Sequence, residues 1–258
     1  MPNFIINVAV MNLYKEPTFR SEVVTQGLLG ESCSILEQSD NWSKIKQWDG
    51  YEGWANNFYG IIQDEPYTST HSFFGHSCEI INSEGQVIRT MNFGGKVKAE
   101  HTNKNYTITL PDGHVGYLES NLYVDAMNPS RNSIVNIAKS FLGIPYRWGG
   151  KSTLGFDCSG FVQSVFKAHD IPLPRDSHEQ ADHFVNEINL DEVLPGDLLF
   201  FAEQSKISHV GISLGDTNFV NARGWVRDES LDQSSAVFSQ KLKDLLVKVS
   251  SIDEVVKN

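Results

Sequence analysis

Near residue 128 the sequence changes its hydrophobic period, so one regular architecture cannot accommodate both halves. The first ~125 residues read as short strands: FIINVAV, ESCSILEQ, WSKIKQW, HSCEIIN, QVIRTMNF and YTITL. Turn pairs Asp49-Gly50, Glu84-Gly85 and Asp112-Gly113 fall between them. Short, evenly spaced strands of this kind predict small all-β barrels. The segment also echoes itself. Gly50-Tyr51-Glu52-Gly53-Trp54 returns as Gly113-His114-Val115-Gly116-Tyr117. Each echo leads into an Asn-rich turn with an aromatic, Asn56-Asn57-Phe58 and Asn121-Leu122-Tyr123. The offset of 63 residues is one small barrel, so two tandem barrels are the simplest reading.

Asn128-Pro129-Ser130 reads as a linker, and helical spacing follows it. Ile134, Ile137, Ala138, Phe141 and Leu142 share a helix face, stopped by Gly143 and Pro145. A second helix is predicted from Cys158 to about His169, with Phe161, Val162, Val165 and Phe166 on one side. A third follows Asp176, through Glu179 to Val185. Strands are then predicted at Asp197–Phe201, His209–Leu214, Asn218–Asn221 and Ala236–Ser239. Helices first and antiparallel strands second give an α+β plan. The expected boundaries are 1–62 and 63–127 for the barrels and 128–258 for the α+β domain.

Composition narrows the partners. The 258 residues are 40% hydrophobic and 21% charged, ordinary for a globular chain, and the formal net charge is -11. That acidity argues against nucleic acid and anionic surfaces, and suits a cationic or zwitterionic small substrate. Cys33, Cys78 and Cys158 are odd in number and widely spaced, without a disulfide framework or a metal-binding pair. This fits a reducing compartment. The N-terminal MPNFIINVAVMNLYKEP lacks the charge and apolar pattern of a signal peptide, and no stretch reaches the ~18 apolar residues of a membrane span. The expected location is cytoplasmic, with no membrane partner.

Three residues carry candidate chemistry. Cys158 lies in Gly155-Phe156-Asp157-Cys158-Ser159-Gly160, where a Gly-rich turn runs directly into an amphipathic helix. A sulfur at a helix N-terminus meets N–H groups and a dipole that favour its anion, and the same N–H groups can hold an oxyanion. Spacing alone allows equally a buried cysteine packing as a small hydrophobe. A nucleophilic thiol needs a base, and His209, heading the alternating strand Ser208-His209-Val210-Gly211-Ile212-Ser213-Leu214, is the candidate; the other seven histidines, His178 and His183 among them, sit mostly in polar loops or on helix faces. Asn221 follows 12 residues on. On a neighbouring antiparallel strand its side-chain oxygen can accept the ring N–H and hold the imidazole, although an ordinary turn asparagine fits the same position.

Pro145-Tyr146-Arg147-Trp148-Gly149-Gly150, then FDCSGFVQSVF, PRDSHEQ, PGDLLFF and SHVGISLG occur in that order. Together they resemble the NlpC family of papain-like cysteine peptidases, over roughly residues 130–245. The resemblance implies an α+β papain-like domain, with helices packed on an antiparallel sheet, Cys158 as nucleophile and His209 as base. The family's third residue is most often His; Asn221 stands at that place here. The N-terminal half resembles the tandem bacterial SH3-like β-barrels that precede this domain in some members. The combination is similar to the γ-D-glutamyl-L-diamino acid endopeptidase (dipeptidyl-peptidase VI) type. It implies cleavage of small murein peptides, L-Ala-γ-D-Glu-diamino acid, with a free N-terminal L-Ala, by a monomer of the recycling type without cofactor or metal.

The substrate residues implied are Glu16 and Tyr51 of the first barrel, at the places that close the pocket over the L-Ala end in similar enzymes. Asp157 and Asp176 flank the nucleophile as carboxylate partners for an ammonium. Tyr146, Ser159, Arg175 and Ser177 are donors available to the α-carboxylate of the γ-linked D-Glu. Arg175 and Asp176 also read as a local ion pair capping a helix, and Trp54 and Trp148 as packing residues. Three other functions fit the motifs: a secreted hydrolase of intact wall, a peptide-binding protein with a vestigial site, and an amidase or acyltransferase on the same fold.

Overall fold

The computed structural model describes residues 2–102 and 105–256. They fall into two compact units, 1–126 and 127–258.

The first unit begins with β1 (Asn3–Ile6), β2 (Val10–Tyr14), β3 (Val23–Leu28), β4 (Ser32–Ser39), β5 (Trp42–Lys46), β6 (Glu52–Asn56) and β7 (Gly60–Gln63). These pair in the order β3-β2-β6-β5-β4-β1-β7. Then come β8 (His71–Ser72), β9 (Ser77–Ile81), β10 (Val87–Asn92), β11 (Lys96–Thr102), β12 (Asn105–Thr109) and β13 (Val115–Leu118), in the order β10-β9-β13-β12-β11-β8. The second order is the first with every strand advanced by one repeat. A bridge from Ser72 to Tyr123 stands where β1 pairs with β7. The echoed peptides make the same turn twice. Gly50 and Gly113 both have φ of 83°, which only glycine adopts without strain. Asp49 Oδ1 accepts the Tyr51 N–H at 3.0 Å, and Asp112 Oδ1 accepts that of His114 at 3.1 Å.

Alternation builds each core. Met11 and Leu13, Cys33 and Ile35, with Phe4, Ile6, Ile45 and Ala55, fill the first. Ile80, Met91, Val97, Ala99, Ile108 and Leu118 fill the second, which also takes Leu29 from the first repeat. FIINVAV, expected as one strand, is divided: β1 ends at Ile6 and β2 starts at Val10. The break comes at Asn7, whose N–H donates to Tyr59 O at 3.0 Å and whose side-chain amide donates to Asp112 Oδ2 at 2.8 Å.

The second unit holds α1 (Arg131–Ser140), a hairpin of β14 (Lys151–Ser152) and β15 (Gly155–Phe156), α2 (Cys158–Lys167) and α3 (Ser177–His183). The strands β16 (Leu198–Glu203), β17 (Lys206–Gly215), β18 (Asn218–Arg223) and β19 (Trp225–Ser230) follow, then α4 (Gln240–Leu245) and β20 (Leu246–Ser250). The sheet is antiparallel, in the order β19-β18-β17-β16-β20. Helix α1 starts at Ser130, whose Oγ accepts the Ser133 N–H at 3.2 Å, and Gly143, at φ 88°, turns the chain out beyond it. Every residue of α2 from Cys158 to Phe166 is buried. Phe161 meets Phe141 and Phe156 with ring centroids 6.3 and 6.0 Å apart, and side chains of this kind contribute about 2–3 kcal/mol each on burial. The strand expected at Ala236–Ser239 is a turn instead. Asp232 Oδ2 accepts from Ser234 Oγ at 2.7 Å, Ser235 Oγ accepts the Val237 N–H, and Ser239 Oγ accepts the Leu242 N–H to start α4.

Candidate active site

The loop before α2 lies so close to the helix that glycine is required on both sides. A Cβ on Gly160 would come 2.2 Å from Gly150 O, and one on Gly150 would come 2.3 Å from Gly155 O. The Asp157 N–H donates to Gly150 O at 3.0 Å, which brings the chain to the helix start. Asp157 is the N-cap: its Oδ1 accepts the Gly160 N–H at 2.7 Å. Arg175, 2% exposed, clamps that carboxylate from behind with both terminal nitrogens, and its Nη1 also reaches Ser159 Oγ at 2.9 Å. Gln180 Nε2, on α3, donates to Ser159 O at 3.0 Å. Cys158, the first residue of α2, is thereby held rigidly at the helix N-terminus.

Its sulfur lies against β17 on both sides of His209. The thiol donates to Ser208 O at 3.8 Å and takes a hydrogen bond from the Val210 N–H. On the next strand Ile212 faces Val220, so Gly211 falls beside Asn221; a Gly211 Cβ would be 3.2 Å from that of Asn221. This register turns Asn221 and His209 to one face, and His209 Nε2 donates to Asn221 Oδ1 at 2.8 Å. Asn221 is fully buried. The structure therefore brings Cys158, His209 and Asn221 into one row across α2, β17 and β18.

Two groups behind the row come from β19, a strand the sequence reading omitted. Glu229 Oε2 accepts from Asn221 Nδ2 at 2.9 Å. Glu229 Oε1 accepts from Arg223 Nη1 at 2.8 Å and Arg227 Nη2 at 2.6 Å. The pairing of Phe219 with Glu229 and Asn221 with Arg227 puts these side chains on one sheet face. Alternation of Trp225, Arg227 and Glu229 about the buried Val226 is the signal that could have found them.

The electrostatics favour a neutral pair at rest. Burial, then the Asp157 charge, pushes the Cys158 thiol up to about 12, against the pull of the Val210 N–H, Arg175 and the Ser159 N–H. Burial pushes the His209 imidazole down, while the bond to Asn221 and the Glu229 charge pull it up. A reaction at this sulfur would therefore need the proton to pass from Sγ to an acceptor. Burial, and then Cys158 and Asp157, raises the Tyr146 phenol to about 12, so it remains an O–H donor.

A cavity of about 370 Å³ opens on the imidazole side. Tyr146, His209, Arg223, Glu203, Lys241 and Leu242 are among its lining residues. Lys241 Nζ and Glu203 Oε1 form an ion pair at 2.7 Å on its wall.

The remaining expected residues divide. Asp157, Ser159 and Arg175 lie together behind the nucleophile, where the ion pair of Arg175 is with Asp157. Asp176 is the half-buried N-cap of α3, without a side-chain cap bond, and Ser177 is its buried first residue. Glu16 and Tyr51 belong to the first unit: Glu16 is exposed after β2, its N–H on Ser21 Oγ at 3.1 Å, and Tyr51 is half-buried in the β5–β6 turn. Trp148, expected to pack, is 63% exposed, because the tight glycine turn that follows carries it outward.

Residues 143–245 match the NlpC/P60 family, and residues 13–57 match the bacterial dipeptidyl-peptidase SH3 domain. The chain is 30% identical over 208 residues to a gamma-D-glutamyl-L-lysine dipeptidyl-peptidase of Bacillus subtilis, covering 75% of this chain and 70% of that one. It is 28% identical to dipeptidyl-peptidase 6 of Lysinibacillus sphaericus over 97% of this chain and 99% of that one. The crystal structure of an NlpC/P60 family protein from Bacillus cereus superposes with a TM-score of 0.81 at 21% identity, covering 96% of this chain and 99% of that one, a likeness of fold.

Proposed function

Since this chain belongs to the NlpC/P60 family of cysteine peptidases, we propose that it hydrolyses the γ-D-glutamyl–L-diamino acid bond of short murein peptides with a free N-terminal L-Ala. The observation that carries the reading is the row Cys158–His209–Asn221 with a charged cavity on the imidazole side. His209 takes the thiol proton as Sγ attacks the γ-glutamyl carbonyl, and N–H groups of the first turn of α2 hold the oxyanion. The imidazolium then protonates the departing amine, so the leaving residue lies on the His209 side. There the apolar Leu242 can take a methylene stem, and Glu203 an ammonium. The Bacillus subtilis relative, named for γ-D-glutamyl-L-lysine peptides, supports this class of leaving residue. A net charge of -11 fits a small cationic or zwitterionic peptide better than an anionic wall polymer, and we place the activity in the recycling of soluble peptides by a cytoplasmic monomer.

The test offers L-Ala-γ-D-Glu-L-Lys or its diaminopimelate counterpart, the N-acetylated peptides, and intact sacculi. Release of the free diamino acid from the unblocked tripeptides alone is expected. Cleavage of sacculi would replace this reading with that of a wall hydrolase. With the tripeptide as substrate, Glu203→Gln is expected to raise KM more than it lowers kcat; an unchanged KM removes Glu203 from the leaving-residue pocket.

A further inference from the structure

We propose that Glu229 is a positioning residue for the peptidase: its carboxylate fixes which way the Asn221 amide points and thereby which ring nitrogen of His209 carries the proton. An asparagine amide offers an oxygen on one side and an NH2 on the other, of nearly equal shape. Only one orientation serves here. An ionised carboxylate can only accept, so the amide edge facing Glu229 Oε2, 2.9 Å away, has to be Nδ2. Asn221 Oδ1 then faces His209 and can only accept, so Nε2 carries the ring proton at 2.8 Å. The lone pair is left on Nδ1, the ring nitrogen that Asn221 does not engage and so the one free to accept a proton. The reversed amide would point an N–H at Nε2 and move the ring proton to Nδ1, and the base would be lost.

Glu229 is itself held. It is 3% exposed and accepts from Arg223 and Arg227 through Oε1, which leaves Oε2 for Asn221. Burial alone would raise its pKa, but the hydrogen bonds from Arg227 and Asn221 and the two guanidinium charges hold it below the ordinary carboxylate range. It thus stays an acceptor at working pH. The charged groups acting on His209 are Glu229 on β19, Arg223 on β18 and Glu203 on β16, with Lys241 and Tyr146 across the cavity and the Cys158 thiol on the neighbouring Ser208 O. Arg227 reaches the ring through Glu229. Removing the Glu229 charge leaves both arginines uncompensated, so the imidazole holds its proton less well.

The inference rests on the Cys158–His209 chemistry and not on the peptide cleaved, so the test reads the thiol directly. In the full chain, alkylation of Cys158 by iodoacetamide is followed against pH by peptide mass mapping, and the His209 titration by NMR, assigned with His209→Ala. Glu229→Gln is expected to slow alkylation at neutral pH by about 10- to 100-fold, the range for partners that orient a reactive ligand, and to move the His209 titration to lower pH. In an Asn221→Ala background the same substitution is expected to slow alkylation much less, because the tautomer effect runs through that amide and only the Glu229 charge still acts on the ring. Arg227→Met, which keeps the Glu229 charge, is expected to move the His209 titration the opposite way, to higher pH, and serves as the test should Glu229→Gln not fold. An unmoved titration in both variants, or a full Glu229→Gln effect persisting without Asn221, overturns the proposal.

Discussion

At the scale of the residue, the site is built to keep two groups neutral until they are needed. Burial raises the Cys158 thiol to about 12, so chemistry near neutrality would need a proton acceptor, the part proposed for His209. Removing the base therefore leaves a thiol with its own high pKa. His209→Ala is expected to slow Cys158 alkylation at pH 7 by about 10²- to 10⁴-fold, with the rate recovering as pH rises toward the thiol pKa; a loss that does not recover in alkali would show that His209 holds the fold rather than the proton. Cys158, His209 and Asn221 were legible in the sequence because a Gly-rich turn, a helix period and a strand alternation each leave a local trace. Glu229 was not, since its role is defined by three partners on two strands and it reads as one more acid in Val226-Arg227-Asp228-Glu229.

At the scale of the element, α2 sets the position of everything else, and its glycines are steric requirements. Gly160→Ala places a methyl 2.2 Å from Gly150 O, backbone against backbone, where no side chain can give way. It is expected to cost about 3 kcal/mol or more, or to prevent folding, as read by denaturant unfolding; a loss below about 1 kcal/mol would mean that the 147–150 loop moves freely away. The helices were legible because most of their apolar spacing matches burial: Ile134, Ala138 and Phe141 face inward and α2 is buried from Cys158 to Phe166, although Leu142, expected on the same face, is exposed. Strand β19 was not. Its Arg, Asp and Glu residues are poor strand formers, and only pairing with β18 and the arginine–carboxylate network across that pair make the extended backbone favourable. The reverse holds for Ala236–Ser239, where Ala-Val-Phe promised a strand and side-chain hydrogen bonds from serine and aspartate made a turn.

At the scale of the whole molecule, duplication was visible in the sequence as a 63-residue echo and is realised as one strand order used twice. What no echo could show is how the copies are joined. Asp112 of the second repeat accepts from Asn7 of the first and pairs with Arg89, whose Nε donates to Asn7 O at 3.0 Å. Burial would raise the Asp112 pKa, but Asn7, His114 and Arg89 together bring it below the usual carboxylate value. A depressed pKa adds stability above the unfolded value of ~3.9 and loses it as pH falls through the folded one. Asp112→Asn is thus expected to lower the neutral-pH stability of the first unit by about 1–3 kcal/mol and to flatten its loss in acid. Equal acid sensitivity of variant and parent in thermal melts would assign that loss to other carboxylates.

The protonated, covered state of Cys158 bears on survival as well as on turnover. Peroxide attacks the anion of a cysteine, and the sulfenic acid that forms is the first step toward irreversible loss. Burial holds Cys78 as well at about 12, and Cys33 is enclosed in a β core. With its proton held by burial, Cys158 is expected to be oxidised slowly by peroxide at neutral pH, and any faster oxidation in the parent than in His209→Ala would trace the exposure to the same proton acceptor that the chemistry uses.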